Sequence, residues 1–504
     1  MSAGSPSDED TGSRGRLTAT QTVAAATLWN LLGRLGPMLV AIAATPFLII
    51  GLGDARFGVF SLALSLIGIF GVFDFGFGRA ITRLIAERLA DGQEAEAAPA
   101  VLTGLAAMTL LGAAGGLVLA GFARWYALSL LDLPPDLAHE VSHALMLLCA
   151  SAPLVVLNAA LWGVLSAYQR FGAANLVNLP IMALYYLGPL AVLPFADSLV
   201  AVIAVLVSCR AIMTVCYAWI ALGAMPALRT ARPDWGALGG LARFGGWLTV
   251  SNLAWPLLLY IDRFVIAAAI SAAASAWYAT PFDLILRFSI VPIAIMQSGF
   301  PAMAASYRQA PEVAVQLFRR GSLAILVAVI LPSLLTTGAA LPLLTLWLGA
   351  PFAAHAAPVL QILGLGALFM CLDTVPAGLL DAIGRPDVNA KLAVASVLPA
   401  VPLLALLVAL AGIEGAATAW SLRVIASFAL RLWLCARLYP PVRAEMPRLL
   451  PALVVALLAL ALAPISWPAA GAALLLGAVV VWRRGLTHAE RSYLAGRLAR
   501  AQKP

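Results

Sequence analysis

The feature that most constrains this chain is a nearly unbroken succession of apolar segments, each about as long as a membrane-crossing helix. Of its 504 residues, 62% are hydrophobic and 11% are charged, whereas soluble domains have about 45–50% and about 25%, respectively. A helix needs about 20 apolar residues to cross a bilayer. This composition excludes a soluble enzyme, a nucleic-acid-binding protein and a disordered scaffold.

Charged or turn-rich breaks separate the apolar segments and predict an all-α polytopic membrane protein. The first 21 residues are polar, and no small-residue cleavage site follows a short apolar core, so we expect an uncleaved first span. We predict 14 transmembrane helices, at about 22–50, 57–86, 98–123, 140–167, 172–194, 198–222, 244–269, 273–304, 313–338, 353–382, 388–411, 415–436, 447–464 and 467–482.

The distribution of basic residues predicts the orientation of these spans. Of the 31 Lys and Arg residues, only Arg56 and Arg124 fall on predicted outer loops when the N-terminus is placed inside. Six arginines lie at membrane depth, and the others mark the inner side. Because short cytoplasmic loops collect Lys and Arg, we expect both termini to be cytosolic. The net charge of +8 therefore indicates topology rather than nucleic-acid binding.

A weak internal repeat divides the chain. The segments Gly163–Arg170 and Gly378–Arg385 both fit G-[VL]-L-x-A-x-x-R, and each ends the fourth span of a six-span set. Six spans return the chain to the same side, so the repeat predicts two parallel lobes. We predict a polar cytosolic N-terminus (1–21), an N-lobe (22–222), a cytosolic interfacial linker (223–243), a C-lobe (244–438), spans 13 and 14 (439–484) and a basic cytosolic tail (485–504).

Several short motifs resemble one known family. They are Gly51–Phe60, Phe73–Arg83, Leu259–Ile266, Leu379–Pro386 and Gly412–Ala417. These segments are similar to the polysaccharide-transporter family, which holds the O-antigen and lipid-linked oligosaccharide flippases. The superfamily also contains multidrug extruders and the lipid II flippase.

The resemblance implies two six-helix lobes around a central cavity and transport by alternating access, without an ATPase, while spans 13 and 14 are two extra C-terminal helices outside the repeat. It also implies export of a polyprenyl-pyrophosphate-linked oligosaccharide across the bacterial inner membrane, for O-antigen, exopolysaccharide or other cell-surface polysaccharide. The expected partners are this substrate, membrane lipids and polysaccharide assembly proteins. We expect no enzymatic activity, no cofactor and no nucleic-acid partner.

Ionisable residues inside the predicted spans are the candidate functional residues. Each costs roughly 2.5–3.5 kcal/mol at a helix centre, so most must face other helices or water. They are Arg34, Arg210, Arg263, Arg287, Arg423 and Arg431, with Asp74, Asp262, Asp283 and Asp373. The excess of positive charge favours an anionic substrate.

The guanidinium group matches phosphate oxygens two at a time. We therefore expect Arg34, Arg263 and Arg287 to line a cavity and to hold the pyrophosphate–sugar head group. Arg210 and Arg423, which follow the two repeat motifs at similar distances, are the second candidates.

Structural roles are open for several of these residues. Asp283 and Arg287 are four apart on one helix, where they can neutralise each other, and such a pair does not exclude a role in lining the cavity. Asp262 and Arg263 are adjacent, hence about 100° apart, and we expect at least one of them to pair across helices.

Three further charges have alternative interpretations. We prefer the interpretation that Arg431 extends towards the inner interface, while Asp373 either caps a helix or pairs within the C-lobe. Asp74 is either a structural partner of Arg79 or an ion carrier.

The sequence contains no phosphate-binding loop for ATP. Transport would then be driven by an ion gradient or by the substrate gradient. Asp74, Asp262 and Asp283 are the candidates for coupling to H⁺ or Na⁺. His139 and His143 flank Glu140, but two imidazoles on an exposed turn do not make a metal site, and we predict none.

Competing functions differ in the charge or the loops that they require. A drug/cation antiporter of the same superfamily should have a net acidic cavity, and a lipid II flippase would bind a similar head group. A membrane polysaccharide polymerase or ligase would need a sizeable outer loop, which the spacing of the spans does not leave.

Overall fold

The computed structural model describes the backbone of residues 8–70, 77–239, 258–480 and 483. Side chains are described within these ranges from residue 36 onward, apart from residues 77, 90, 94, 237 and 298. Asp74 and the basic tail from 485 onward lie outside the described residues, as does the side chain of Arg34. No β-strand occurs in the described ranges.

Seventeen helices make up the described part of the chain, with short 3-10 turns between some of them. They are α1 (Asp8–Phe70), α2 (Phe77–Ala90), α3 (Ala98–Trp125), α4 (Pro135–Cys149), α5 (Ala152–Ala167), α6 (Phe171–Val192), α7 (Leu199–Ala224), α8 (258–269), α9 (Ala272–Leu286), α10 (Ile290–Ser306), α11 (Pro311–Gly338), α12 (Ala340–Leu348), α13 (Ala350–Leu372), α14 (Thr374–Ala382), α15 (Pro386–Leu438), α16 (Met446–Leu462) and α17 (Trp467–Val480).

The two longest helices are each divided by a break. At 53 residues, α15 would be about 80 Å long as a continuous helix, far more than the roughly 30 Å hydrocarbon core of a bilayer. Ala411 and Gly412 leave helical geometry in its middle, with Gly412 at φ 58°, a conformation that favours glycine. A similar break at Gly53 divides α1. Gly53 and Gly412 fall between predicted spans, and Ala411 is the last residue of the span predicted at 388–411.

The all-α fold class is confirmed, and the chain is a multi-pass membrane protein. The described residues contain nine helical segments long and apolar enough to cross a membrane, together with the shorter apolar helices Met446–Leu462 and Trp467–Val480. Some of the nine segments include a break, so they hold more than one predicted span each. The number of 14 spans stays a prediction.

The contacts divide the chain into two compact units. The first unit comprises Met1–Gly53, Phe73–Trp125 and His139–Gly246. In it, α5 packs against α2, α3 and α7, and α6 packs against α7.

The second unit comprises Asp54–Val72, Tyr126–Ala138 and Trp247–Pro504. Here α13 lies against α9, α11, α12 and α15, while α16 packs against α11 and α17.

In the second unit, the part of α1 after its break lies along α9. Gly58 is so close that an added Cβ would be 1.8 Å from the carbonyl oxygen of Ala272. Nearby, the indole Nε1 of Trp277 donates a hydrogen bond to Asp54 Oδ2 at 3.0 Å. Small residues permit this approach of two backbones, which brings the hydroxyl groups of α1 close to α8.

The repeat motif has the same backbone geometry in both copies. The helix α5 ends within Gly163–Arg170 and α6 begins at the next residue, and in the same way α14 ends within Gly378–Arg385 and α15 begins at the next residue. The seventh motif residue has a positive φ each time, 53° at Gln169 and 78° at Gly384. Equivalent turns at equivalent positions therefore support the repeat that the sequence predicts.

Matching hydrogen bonds close these two turns. The amide of the last motif residue donates to the carbonyl oxygen five residues earlier at 2.9 Å in each copy, from Arg170 to Leu165 and from Arg385 to Leu380. This six-to-one bond is the Schellman pattern of helix C-termini.

Candidate functional site

Arg263 on α8 is at the centre of a buried polar cluster in the second unit. Its side chain is 2% exposed and forms an ion pair with Asp283 on α9. The Nη1 atom donates to Ser65 Oγ at 3.0 Å and to Ser61 Oγ at 3.3 Å. These partners stabilise a guanidinium that would otherwise be costly in an apolar interior.

Further contacts fix both the backbone and the side chain of Arg263. Ser275 Oγ on α9 donates to the carbonyl oxygen of Arg263 at 3.2 Å. The guanidinium carbon lies 5.6 Å from the ring centre of Tyr260 and 5.7 Å from that of Phe282, within the range of cation–π attraction. The position of Arg263 is therefore fixed by both α8 and α9.

Asp262 faces a different set of partners from its neighbour Arg263. The hydroxyl of Tyr278 on α9 donates to Asp262 Oδ2 at 2.7 Å, and both side chains are buried. Arg423 on α15 interacts electrostatically with Asp262. The prediction that adjacent residues point to different partners is confirmed, and both of them pair across helices.

Asp373, between α13 and α14, forms an ion pair with Arg431 on α15. Ser427 Oγ donates to Asp373 Oδ2 at 3.4 Å, and Arg423 interacts electrostatically with the same carboxylate. The pairing of Asp373 within the second half is confirmed. The interpretation of Arg431 as extending to the interface is wrong, because its side chain is only 16% exposed and is engaged by Asp373.

Arg287 lies in the 3-10 turn that joins α9 to α10 and is half-buried. Asp283, one turn earlier, pairs with Arg263. The alternative that Asp283 and Arg287 neutralise each other is therefore wrong. Among the side chains that the structure describes, Arg287 has no acidic partner.

Arg210 on α7 is in the first unit and lies against aromatic side chains. Its guanidinium carbon is 5.2 Å from the ring centre of Tyr185 on α6, and it interacts electrostatically with Tyr217. Its Nη1 atom also approaches Met213 Sδ at 4.0 Å. In the described part of the chain no carboxylate pairs with Arg210.

The first unit contains buried polar atoms without a hydrogen-bond partner among the described residues. They include both amide atoms of Asn158 on α5 and the hydroxyl group of Tyr217, which interacts electrostatically with Arg210. Buried polar groups are almost always hydrogen-bonded in proteins. The first unit therefore has donors available for water or a polar ligand.

Glu140, between His139 and His143, has a structural role. Its Oε1 atom accepts a hydrogen bond from the amide of Leu199 at 2.6 Å, at the start of α7. A carboxylate stabilises a helix N-terminus in this way. Within the described ranges, no group of three or more His, Cys, Asp or Glu side chains could hold a metal ion.

Some members of the buried cluster were not predicted from the sequence. The cluster includes Ser61, Ser65 and Tyr278. Nothing in their local sequence distinguishes them from other polar residues in apolar helices, so it does not indicate that they bond to Arg263 or Asp262. A weak signal is present, since Ser61 and Ser65 are four apart and so share one helix face. The sequence places Arg319 on the inner surface, yet it is 1% exposed and pairs with Glu445 at 3.2 Å.

Comparisons with known proteins agree with this architecture. A family model described as "Polysaccharide biosynthesis protein" matches residues 23–307. A Shigella flexneri protein described as a candidate O-antigen transporter is 29% identical over 419 residues, which are 82% of this chain and 97% of that protein.

Solved structures show the same fold. An inward-facing multidrug resistance MATE family transporter of the MOP superfamily has 15% identity and a TM-score of 0.69, covering 82% of this chain and 99% of its own. A MOP superfamily transporter from Pyrococcus furiosus has 14% identity and a TM-score of 0.50, covering 80% and 96%. At these identities the likeness concerns the fold alone.

Proposed function

This chain belongs to the family of polysaccharide biosynthesis proteins, and from that premise we propose that it flips a lipid-linked oligosaccharide across the bacterial inner membrane. The substrate would be a polyprenyl-pyrophosphate-linked oligosaccharide, moved by alternating access for the assembly of cell-surface polysaccharide. The similarity to the Shigella flexneri protein supports this substrate class.

The observation that carries the proposal is the uneven pairing of the buried charges. Within the described residues, Arg263 pairs with Asp283 and Arg431 pairs with Asp373, while Arg423 interacts electrostatically with Asp262 and Asp373. Arg210 and Arg287 have no such carboxylate. Positive charge left over at membrane depth is costly unless an anion compensates for it. A pyrophosphate supplies that anion.

We assign different roles to the candidate arginines on this basis. Arg210 in the first unit and Arg287 in the second unit are each a proposed contact for phosphate oxygens, because the donors of each are not committed to an acidic side chain. Arg263 and Arg423 belong to the binding region through the buried cluster and position it. Arg34 remains a proposed contact on the strength of the sequence.

For energy coupling, we propose Asp262, Asp283 and Asp74 as the groups that respond to H⁺ or Na⁺. Asp262 is the strongest of them, because its carboxylate is buried and bonded to Tyr278. A carboxylate at membrane depth is a common carrier of a coupling ion.

The charge balance also separates the competing functions. A cationic drug would meet like charge at Arg210 and Arg287, so the antiporter alternative is disfavoured. A lipid II flippase would bind a similar head group, and the substrate specificity must be measured. Cytosolic termini, the lobe boundaries of the sequence and contact with polysaccharide assembly proteins belong to the same proposal.

The test of the proposal is the location of the lipid-linked oligosaccharide in cells that lack this protein. In the deletion strain we expect the lipid-linked glycan to accumulate on the inner leaflet. In proteoliposomes we expect the purified full-length protein to translocate the same lipid-linked glycan across the bilayer. Lipid II is the comparison substrate in the same vesicles. Normal glycan export in the deletion strain would contradict the proposal, as would translocation of lipid II alone.

A further inference from the structure

The second unit contains an apolar cavity of about 410 Å³ that the proposed transport does not use. Its wall is formed by α11, α15 and α16 with the ends of α13 and α14. The lining includes Phe318, Leu372, Phe428, Leu432 and Leu453. An elongated apolar group is the kind of ligand that such a lining accepts.

The cavity reaches the exposed surface of the protein along α16. Leu450 lines the cavity and is 60% exposed. Leu458, two turns further along the same helix, is also exposed. In a membrane protein such leucines contact lipid chains, so a chain in the surrounding bilayer has direct access to the cavity.

A cation stands at the end of the cavity, in the turn before α16. Arg443 is part of the lining and is exposed. Its Nε atom donates to the carbonyl oxygen of Ala436 at 2.7 Å, which fixes the guanidinium near the rim. In the part of the chain that the structure describes, Arg443 forms no ion pair.

The acidic group nearest in sequence is already engaged. Glu445 forms ion pairs with Arg448 at 2.5 Å and with Arg319 at 3.2 Å. At the rim, Glu445 is therefore already paired with two arginines, and the Nη groups of Arg443 can bind an external anion. A phosphate monoanion or diester fits this arrangement.

We propose that this cavity binds one acyl chain of an anionic glycerophospholipid, with the lipid phosphate on Arg443. The apolar lining takes the chain, and the cation at the rim selects for a negative head group. Basic pockets between transmembrane helices bind anionic lipid head groups in this manner. The lipid would connect α16, which packs against α17, to α11 and α15.

The test compares two lipids and three variants of the full-length protein. Native mass spectrometry measures binding of phosphatidylglycerol and of phosphatidylcholine with the same acyl chains. Arg443→Gln removes the rim cation. Arg437→Gln is the matched control, because Arg437 is exposed in the last turn of α15 and its guanidinium lies 5.4 Å from the ring centre of Trp433, outside the cavity lining. Leu453→Trp fills the cavity.

We expect wild-type protein to prefer phosphatidylglycerol and Arg443→Gln to bind it about fivefold more weakly. Arg437→Gln should bind it normally, and Leu453→Trp should bind both lipids less. Equal binding of the two lipids by wild-type protein would overturn the proposal, as would equal losses in Arg443→Gln and Arg437→Gln. Displacement of phosphatidylglycerol by polyprenyl phosphate would also overturn it, and would assign the cavity to the transported substrate.

Discussion

Arg263 and Asp283 form an ion pair between α8 and α9 in which the partners differ greatly in exposure. The side chain of Arg263 is 2% exposed and that of Asp283 is 43% exposed. The buried partner is the cation, so the carboxylate and the hydroxyls of α1 together make a charged arginine tolerable there. Loss of the acid should therefore be more harmful than loss of both charges.

Substitution of Asp283 by Asn tests this relationship. The buried guanidinium would lose its counter-charge, and the expected loss of stability is on the order of 1–2 kcal/mol, below that of a fully buried pair because Asp283 is partly exposed. Adding Arg263→Met should restore part of this loss, since it removes the charge and keeps apolar volume. Thermal unfolding of the purified variants measures both effects.

The control for that experiment is Asp387→Asn. Asp387 pairs with Arg385 at 2.9 Å, but both side chains are more than 40% exposed. The melting temperature should change little in this variant. If Arg263→Met lowers the stability of Asp283→Asn further, the buried cation is not the cause of the destabilisation.

Variants of the hydrogen-bonded pair Tyr278 and Asp262 distinguish a structural role of Asp262 from a role in ion coupling. Tyr278→Phe removes the donor at 2.7 Å from Asp262 Oδ2 and should cost about 1–3 kcal/mol, because a buried acceptor loses its partner. Asp262→Asn keeps an acceptor for Tyr278 but removes the carboxylate. Transport by Asp262→Asn should lose its dependence on an imposed proton or sodium gradient.

Transport in proteoliposomes, measured with and without each gradient, decides this point. Tyr278→Phe should keep the gradient dependence while melting at a lower temperature than wild-type protein. An unchanged gradient dependence in Asp262→Asn would exclude this carboxylate as the coupling group.

The two repeat turns offer a direct exchange of residues. Gly384 has φ 78° and Gln169 has φ 53°, so the same left-handed conformation is occupied once by glycine and once by glutamine. Gly384→Gln should cost about 1 kcal/mol of stability, whereas Gln169→Gly should be neutral or stabilising. Melting temperatures of the two variants check this, and a reversed order would show that the turns are not equivalent.

Much of the fold follows from local patterns in the sequence. The apolar segments predict the helices because their length matches a bilayer. The repeat motif predicts two parallel lobes, because each copy ends the fourth span of a six-span set. The different directions of Asp262 and Arg263 follow from the helical repeat alone.

The pairing of charges does not follow from the sequence in the same way. Arg263 bonds to Ser61 across 202 residues and to Asp283 across 20, and neither separation is visible as a helical period. A local rule favoured Arg287 as the partner of Asp283, but the packing of α8 on α9 brings Arg263 to that carboxylate. Helix packing therefore determines which arginines have no carboxylate partner and can bind an anionic ligand.

We propose that Arg210 and Arg287 each bind phosphate oxygens of a lipid-linked oligosaccharide. The most direct test of this claim is the translocation rate of that substrate by Arg210→Gln and Arg287→Gln in proteoliposomes with equal amounts of protein, with Arg124→Gln as the exposed control. We predict rates at least about tenfold lower for the first two variants, as expected from the loss of a charge-assisted hydrogen bond, and a normal rate for the control. Wild-type rates in both Arg210→Gln and Arg287→Gln would contradict the claim.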